Sequence, residues 1–274
     1  KGSKYAMGKC LCCYFYHYFA FADSLLYIAE TIYGELCELR NKGVDRTMKL
    51  QFLGIGAFCY PVFRNTSAYF VYKDNLIFLD FGETVFETVM KTLDLREYRH
   101  IYIVLTHLHA DHVGSLGTVL SYCNCILHKK PVLIHPQHNI CALLDLLGIV
   151  PSFYSYHADF YGLVEGISIE AIEVQHAQDM RCYGYKISCE DVCLYYSGDA
   201  SDIPNIVLLD FLSRKIDDIY QDTSTIEEAS ASHLYYKHLE ELIPMELREN
   251  VHCMHLDCDC RKMLKEKGFS IAGE

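Results

Sequence analysis

Three imidazoles and one carboxylate fall within six consecutive positions of the segment T-H-L-H-A-D-H-V-G-S, Thr106 to Ser115. They directly follow the apolar run Ile101 to Leu105, so the pattern predicts a strand that ends by presenting four polar side chains at a sheet edge. Such groups are not buried without partners, and a pair of divalent cations satisfies all of them. Imidazole nitrogen and carboxylate oxygen are ligands for zinc and, less selectively, manganese or iron. A solvated polar loop would not explain His107, His109, Asp111 and His112 at this spacing.

Other candidates lie far downstream. His176 and Asp199 each follow an apolar β-type run, Ile169 to Val174 and Val192 to Tyr196, so both can reach one sheet edge. The alternation V-H-C-M-H, Val251 to His255, places His252 and His255 on opposite faces of a strand, and only one of them can face a shared site. His233, in A-S-H-L-Y-Y-K-H-L-E, is expected at the start of an amphipathic helix whose N-terminus would add backbone donors for phosphate. His238, four residues on, is read as an ordinary surface histidine.

The elements that must position these residues alternate along the chain. Strands are expected at Lys49 to Leu53, Ser67 to Tyr72, Asn75 to Phe81, His100 to Leu105, Pro131 to His135, Ile167 to Val174, Tyr183 to Cys189 and Val192 to Ser197. Helices are expected at Glu83 to Leu93, Val113 to Leu127, Gln137 to Leu147, Pro204 to Phe211, His233 to Leu242 and Arg261 to Lys267. Mixed hairpin and crossover connections suit an α/β class fold, a four-layer αββα sandwich. With 274 residues, 51% of them hydrophobic, the chain can bury such a core and carry an appendage.

The sequence resembles the metallo-β-lactamase superfamily in H-x-H-x-D-H, in Asp199 of Y-S-G-D-A-S and in the late histidine. Within it the chain is similar to the ribonuclease Z-like branch. F-L-G-I-G-A with R-N-T-S and L-D-F-G-E-T resembles the branch's first motif, and V-Q-H followed by G-Y-K-I its third. The resemblance implies the four-layer αββα metallo-β-lactamase sandwich and a dinuclear metal site. His107, His109 and His176 would hold one ion, and Asp111, His112 and His255 the other, with Asp199 bridging. It also favours His255 over His252. A carboxylate rather than a thiol at the bridge suits phosphoryl chemistry. By the same resemblance Asp111 orients the attacking hydroxide, His233 donates a proton to the leaving group, and Asp222, in Y-Q-D-T-S-T where the branch has H-E-A-T, orients His233.

Transfer-RNA recognition in that branch uses a long glycine-rich arm between the G-Y strand and the G-D turn. Here only twelve residues, Lys186 to Ser197, separate Tyr185 from Gly198, enough for two strands and a turn at Glu190 and Asp191. A net charge of -12 also disfavours a folded RNA, whose binding draws on Lys and Arg contacts to phosphate. The expected substrate is a small phosphodiester, as for the armless anti-Pycsar cyclic nucleotide phosphodiesterases. A ribonuclease acting on transfer RNA is the alternative, and a thioester or lactone hydrolase or a non-catalytic binding module a further one. The segment Ile134 to Tyr161, with His135, His138, Phe153, Tyr154, Tyr156 and His157, supplies either base-stacking aromatics or a packed outer layer.

A boundary is expected near residue 47, leaving residues 48–274 as the hydrolase domain. Residues 1–47 differ in composition, and Lys42 to Val44 can be spelled by a purine-rich run resembling a ribosome-binding site ahead of Met48. The natural protein is therefore expected to start at Met48, with residues 1–47 upstream sequence or an unrelated extension. Leu11 to Ala29 contains His17 and Asp23 and barely reaches a membrane-spanning length, so membrane insertion is not expected. Fourteen scattered cysteines suggest thiols in a reducing cytoplasm, and the resemblance implies a homodimer.

Overall fold

Twelve strands form two six-stranded sheets in a computed structural model that describes residues 48–274. The expectations for residues 1–47, including the Leu11 to Ala29 stretch, lie outside the described residues. The first sheet has the order β1 (Gln51–Gly54), β2 (Ser67–Tyr72), β3 (Asn75–Leu79), β4 (His100–Val104), β5 (Val132–Ile134) and β6 (Ser155–His157). The second runs β12 (Ser270–Ile271), β11 (Val251–Met254), β10 (Asp218–Asp222), β9 (Val192–Tyr196), β8 (Cys182–Cys189) and β7 (Ile167–Val174). Seven helices flank them: α1 (Val85–Thr92), α2 (Ala110–Val113), α3 (Leu116–Cys125), α4 (Asn139–Leu146), α5 (Asn205–Leu212), α6 (Tyr236–Leu242) and α7 (Arg261–Glu266).

The layering follows from the period-two alternation of a strand whose two faces are both buried. In β4, Tyr102 and Val104 pack between the sheets, whereas Ile101 and Ile103 pack outward beneath the helices. In β9, Leu194 and Tyr196 join the central core, and Cys193 and Tyr195 the outer core under α5. One core between the sheets and one outside each gives the αββα sandwich expected from the sequence. Each large apolar side chain so buried contributes about 1.5–3 kcal/mol.

Strand direction sets the position of the site. β3 to β6 are mutually parallel, as are β9 to β12, and β7 reaches β9 through two antiparallel pairings. The residues following β3, β4, β7, β9 and β11 therefore leave through carboxyl ends, where open α/β sheets place their ligands. Between β8 and β9 the chain turns through Glu190 and Asp191 alone, with Cys189 paired to Val192 and Glu190 at φ 53. Among the described residues no helix is long and apolar enough to cross a membrane.

Candidate metal centre

Seven side chains from four chain segments meet at the carboxyl ends of the strands. β4 leads through Thr106 to His107, and the short α2 carries Asp111 and His112 with His109 just before it. His176 follows β7, Asp199 follows β9 and His255 follows β11. Gly198, at φ 59, makes the approach to Asp199 feasible. A Cβ there would lie 2.7 Å from Thr106 Cγ2, so a side chain would push the two strand ends apart. His255 itself has φ 57, an uncommon conformation for a residue with a side chain, held here against the close packing of the site.

Two overlapping donor groups result. His107, His109, His176 and Asp199 form one, and Asp111, His112, Asp199 and His255 the other. In the first, His109 Nδ1 lies 2.9 Å from His107 Nε2 and 3.1 Å from His176 Nε2, and Asp199 Oδ2 lies 3.9 and 3.6 Å from those same Nε2 atoms. In the second, Asp111 Oδ2 lies 3.4 Å from His112 Nε2 and 3.3 Å from His255 Nε2, which is also 3.3 Å from Asp199 Oδ2. Tetrahedral zinc bound at about 2.0–2.1 Å by nitrogen or oxygen sets its ligands roughly 3.3 Å apart. Both groups have that spacing. His112 Nε2 and Asp199 Oδ1 approach to 3.1 Å without hydrogen-bond geometry, leaving two buried polar atoms without a partner. A cation in the second group accounts for them, and together with the donor spacing of the first the set fits a metal pair.

The far side of each ring is held. His112 Nδ1 donates to Asp80 Oδ2 at 2.9 Å, and His176 Nδ1 donates to the Ser232 carbonyl at 2.8 Å. Thr106 Oγ1 donates to Asp80, so it can accept from His107 Nδ1 at 3.0 Å. Those contacts direct the Nε2 lone pairs of His107, His112 and His176 inward. Asp80 is fully buried at the end of β3 and also accepts the Thr106 backbone amide at 2.8 Å. It was legible only as part of L-D-F-G-E-T, and a carboxylate after an apolar strand was the signal for its positioning role.

Burial and then the neighbouring His112 push the His107 pKa well down, and burial and then His176 lower that of His109. For His112 burial acts the same way, but Asp199 and Asp80 reverse it and raise the ring well above its ordinary value. His255 is likewise carried, against burial, to about 10 by Asp199 and Asp222. Burial opposes ionisation of Asp111 and Asp199, yet His112 and His255 hold both below the usual carboxylate range. In this balance protons occupy the place that cations would take, because ligation requires neutral imidazole and ionised carboxylate.

His233 stands beside the donor groups, its ring stacked on His255 at 5.1 Å and set edge-on to His176 at 4.9 Å. Its Nδ1 lies 2.8 Å from Asp222 Oδ2, so the shorter carboxylate reaches. Burial works against protonation of His233, but Asp222 outweighs it and raises the pKa. The helical placement of His233 is corrected: α6 begins at Tyr236. Leu234 and Tyr235 are instead drawn into pairing with Ser224, whose amide donates to the Leu234 carbonyl and whose carbonyl accepts from Tyr236 N. No helix N-terminus is therefore presented by His233.

His252 is turned away, 3.1 Å from Asp218 Oδ1 and stacked on Tyr220, and His238 packs edge-on to Tyr235. The aromatic segment is mostly structural. His135 is buried against the Leu105 carbonyl, Tyr154 is buried, and the Tyr156 hydroxyl donates to the His135 carbonyl. His138 packs edge-on to Tyr156. A cleft of about 660 Å³ opens beside His176, lined by Gln137, Asn139, Gln178, Arg181 and Ala231 among others. Apart from Ala231 these are polar residues that belong to no sequence motif.

Among solved structures the chain is similar to the metallo-beta-lactamase fold protein YhfI from Bacillus subtilis, with TM-score 0.63 and 15% identity over 81% of this chain and 92% of that one. A diphosphatase from the PhnP family has TM-score 0.63 and 18% identity over 81% and 94%. The short form of human tRNase Z has TM-score 0.61 and 15% identity over 82% and 96%. At these identities the likeness establishes the fold alone, the metallo-beta-lactamase fold. No curated protein matches the chain. Its sequence does match a family model, described as Anti-Pycsar protein Apyc1, over residues 48–147 and 153–271. That span contains every residue of both donor groups together with Asp222 and His233, and the chain belongs to the Anti-Pycsar protein Apyc1 family.

Proposed function

We propose that the chain is a metal-dependent phosphodiesterase that hydrolyses a P–O bond of a small, cyclic nucleotide. The observation that carries this reading is the His233–Asp222 pair stacked against the donor groups. An alkoxide is a poor leaving group that needs a proton in the transition state, whereas a thiolate does not. Membership in the Anti-Pycsar protein Apyc1 family and the two-residue β8–β9 turn support a small substrate over a folded RNA.

His107, His109 and His176 would hold one divalent cation, Asp111, His112 and His255 the other, and Asp199 both. When bound, two zinc ions, or manganese or iron, supply Lewis acidity towards the phosphoryl oxygens and a hydroxide nucleophile at neutral pH. Asp111, 6% exposed against 3% for Asp199, would accept the nucleophile's proton. Asp222 fixes His233 through Nδ1, leaving Nε2 to protonate the departing alkoxide oxygen as the P–O bond breaks. The amides of Gln137, Asn139 and Gln178 in the cleft offer donors and acceptors to a base.

The test is turnover of 2',3'- and 3',5'-cyclic nucleotides, a 3'-extended transfer-RNA precursor and a thioester by one purified sample with its metals quantified. Hydrolysis of cyclic nucleotides is expected. Turnover confined to the thioester, or to the RNA precursor, would overturn the proposal.

A further inference from the structure

Immediately beyond His255 the chain forms L-D-C-D-C, in which Asp257, Cys258 and Cys260 bring a carboxylate oxygen and two sulfurs within 4.8 Å of one another. None of the three belongs to the histidine and aspartate groups. We propose that they form a separate site for a thiophilic cation of the zinc and cadmium class, independent of the proposed phosphodiesterase activity.

Local structure makes the triad a chelate rather than a chance grouping. The Cys260 amide donates to the Cys258 carbonyl at 2.9 Å, a tight turn that keeps the alternate cysteines near each other. Asp257 is fixed by three donors: Ser224 Oγ at 2.7 Å and Thr225 N at 2.8 Å on Oδ2, and Thr225 Oγ1 at 2.8 Å on Oδ1. Such contacts orient a carboxylate ligand in advance and leave it lone pairs to spare. Thr225 Oγ1 also lies 3.5 Å from Cys258 Sγ, closing that side. Cys258 is half-buried and Cys260 buried, so a cation would enter past Cys258 and lie partly sheltered from water.

The chemistry of the donors selects the ligand. Two thiolates and a carboxylate give a soft set with net negative charge, which matches zinc or cadmium and discriminates against magnesium and calcium. Three protein ligands leave a fourth tetrahedral position for water. C-x-C spacing is not that of a zinc knuckle, and what completes the set is Asp257, adjacent to Cys258 in the chain and pinned by a second segment. Binding displaces one proton from each thiol to solvent and changes no oxidation state.

Cadmium is the probe, because a cadmium–thiolate bond has an ultraviolet charge-transfer band that histidine and carboxylate ligands cannot produce. Titrating the full chain with Cd2+ is expected to give that band at one equivalent beyond those taken by the histidine-rich groups. Cys258→Ser and Cys260→Ser should each abolish it, and Asp257→Asn should weaken binding about 10–100-fold. Circular dichroism checks that each variant is folded. If Cys260→Ser, at the buried position, fails that check, Cys258→Ser decides alone. No band in the parent chain, an undiminished band in Cys258→Ser, or unchanged affinity in Asp257→Asn would overturn the assignment.

Discussion

One carboxylate serves two imidazoles: Asp222 Oδ2 lies 2.8 Å from His233 Nδ1, while Asp222 Oδ1 faces His255 Nδ1 at 3.4 Å. The two rings consequently lie nearly parallel, 13° apart, with the carboxylate along their shared edge. The Ala200 amide, next to Asp199, donates to Asp222 Oδ2 at 3.0 Å and holds the carboxylate in place. Asp222 thereby links the group that would donate a proton to a group that would hold a cation.

Replacements at the two positions should separate these roles. His233→Ala is expected to slow a substrate with an alkoxide leaving group by about 10²–10⁴-fold, to slow a nitrophenolate ester far less, and to leave metal content unchanged. Asp222→Asn should show the same dependence on the leaving group and also weaken cation affinity by about 10–100-fold, because His255 loses its orientation. Leaving-group series and metal titrations on both variants check this. Equal losses on both substrates would remove the proton-donor role.

Metal loading should be visible in stability as well as in turnover. About two divalent ions per chain are expected in the two histidine-rich groups, and excess cation at 100 times Kd adds about 2.7 kcal/mol per site. His109→Ala and Asp199→Ala should lower occupancy and turnover by orders of magnitude, Asp199→Ala affecting both ions because it belongs to both groups. Elemental analysis and thermal unfolding before and after chelation measure these effects. Full activity in a chelated, metal-free sample would defeat the proposal.

Asp80 provides a test that touches no proposed ligand. Asp80→Ala removes the acceptor for Thr106 N, Thr106 Oγ1 and His112 Nδ1, all buried. The expected cost is about 3–5 kcal/mol of stability, together with weaker binding of the ion assigned to His112. Denaturant unfolding of the metal-free chain isolates the first effect and metal titration the second. A variant with parental stability would show that Asp80 is not a structural anchor.

What the sequence disclosed depended on how local the signal was. H-x-H-x-D-H was legible because four donors lie within six positions, and β2 and β7 matched their alternation to the residue. β10 was not foreseen, since Asp218, Gln221 and Asp222 interrupt its apolar pattern and its stability comes from parallel partners on both sides. The start of α6 was misplaced because pairing of Tyr235 with Ser224, a contact across the fold, overrides helical periodicity. Asp80 has no periodic signature, and its role becomes visible only when His112, 32 residues on, is brought against it.

A chain beginning at Met48 is expected to fold and to bind its metals, because the family match starts there and both donor groups lie downstream. Solubility, metal content and turnover of that shorter chain compared with the full one provide the measurement. Aggregation of the shorter chain alone would show that residues 1–47 are needed to cover apolar surface.

Substrate size should follow from the β8–β9 connection. Lys186 to Ser197 is consumed by two paired strands and a two-residue turn, so nothing in this stretch can extend over a folded RNA. With a net charge of -12, electrostatic attraction to a polyanion cannot make up for the missing arm. A cyclic mononucleotide brings one phosphate and a base, which the cleft of about 660 Å³ beside His176 can accommodate. The ratio of kcat/KM for a cyclic nucleotide to that for a transfer-RNA precursor should therefore exceed roughly 10³, corresponding to about 4 kcal/mol of transition-state discrimination. Raising the salt concentration should change the cyclic-nucleotide reaction little, since few phosphate charges are involved. Efficient cleavage of the precursor at its 3' trailer, with steep salt dependence, would instead require an RNA-binding surface outside this hairpin.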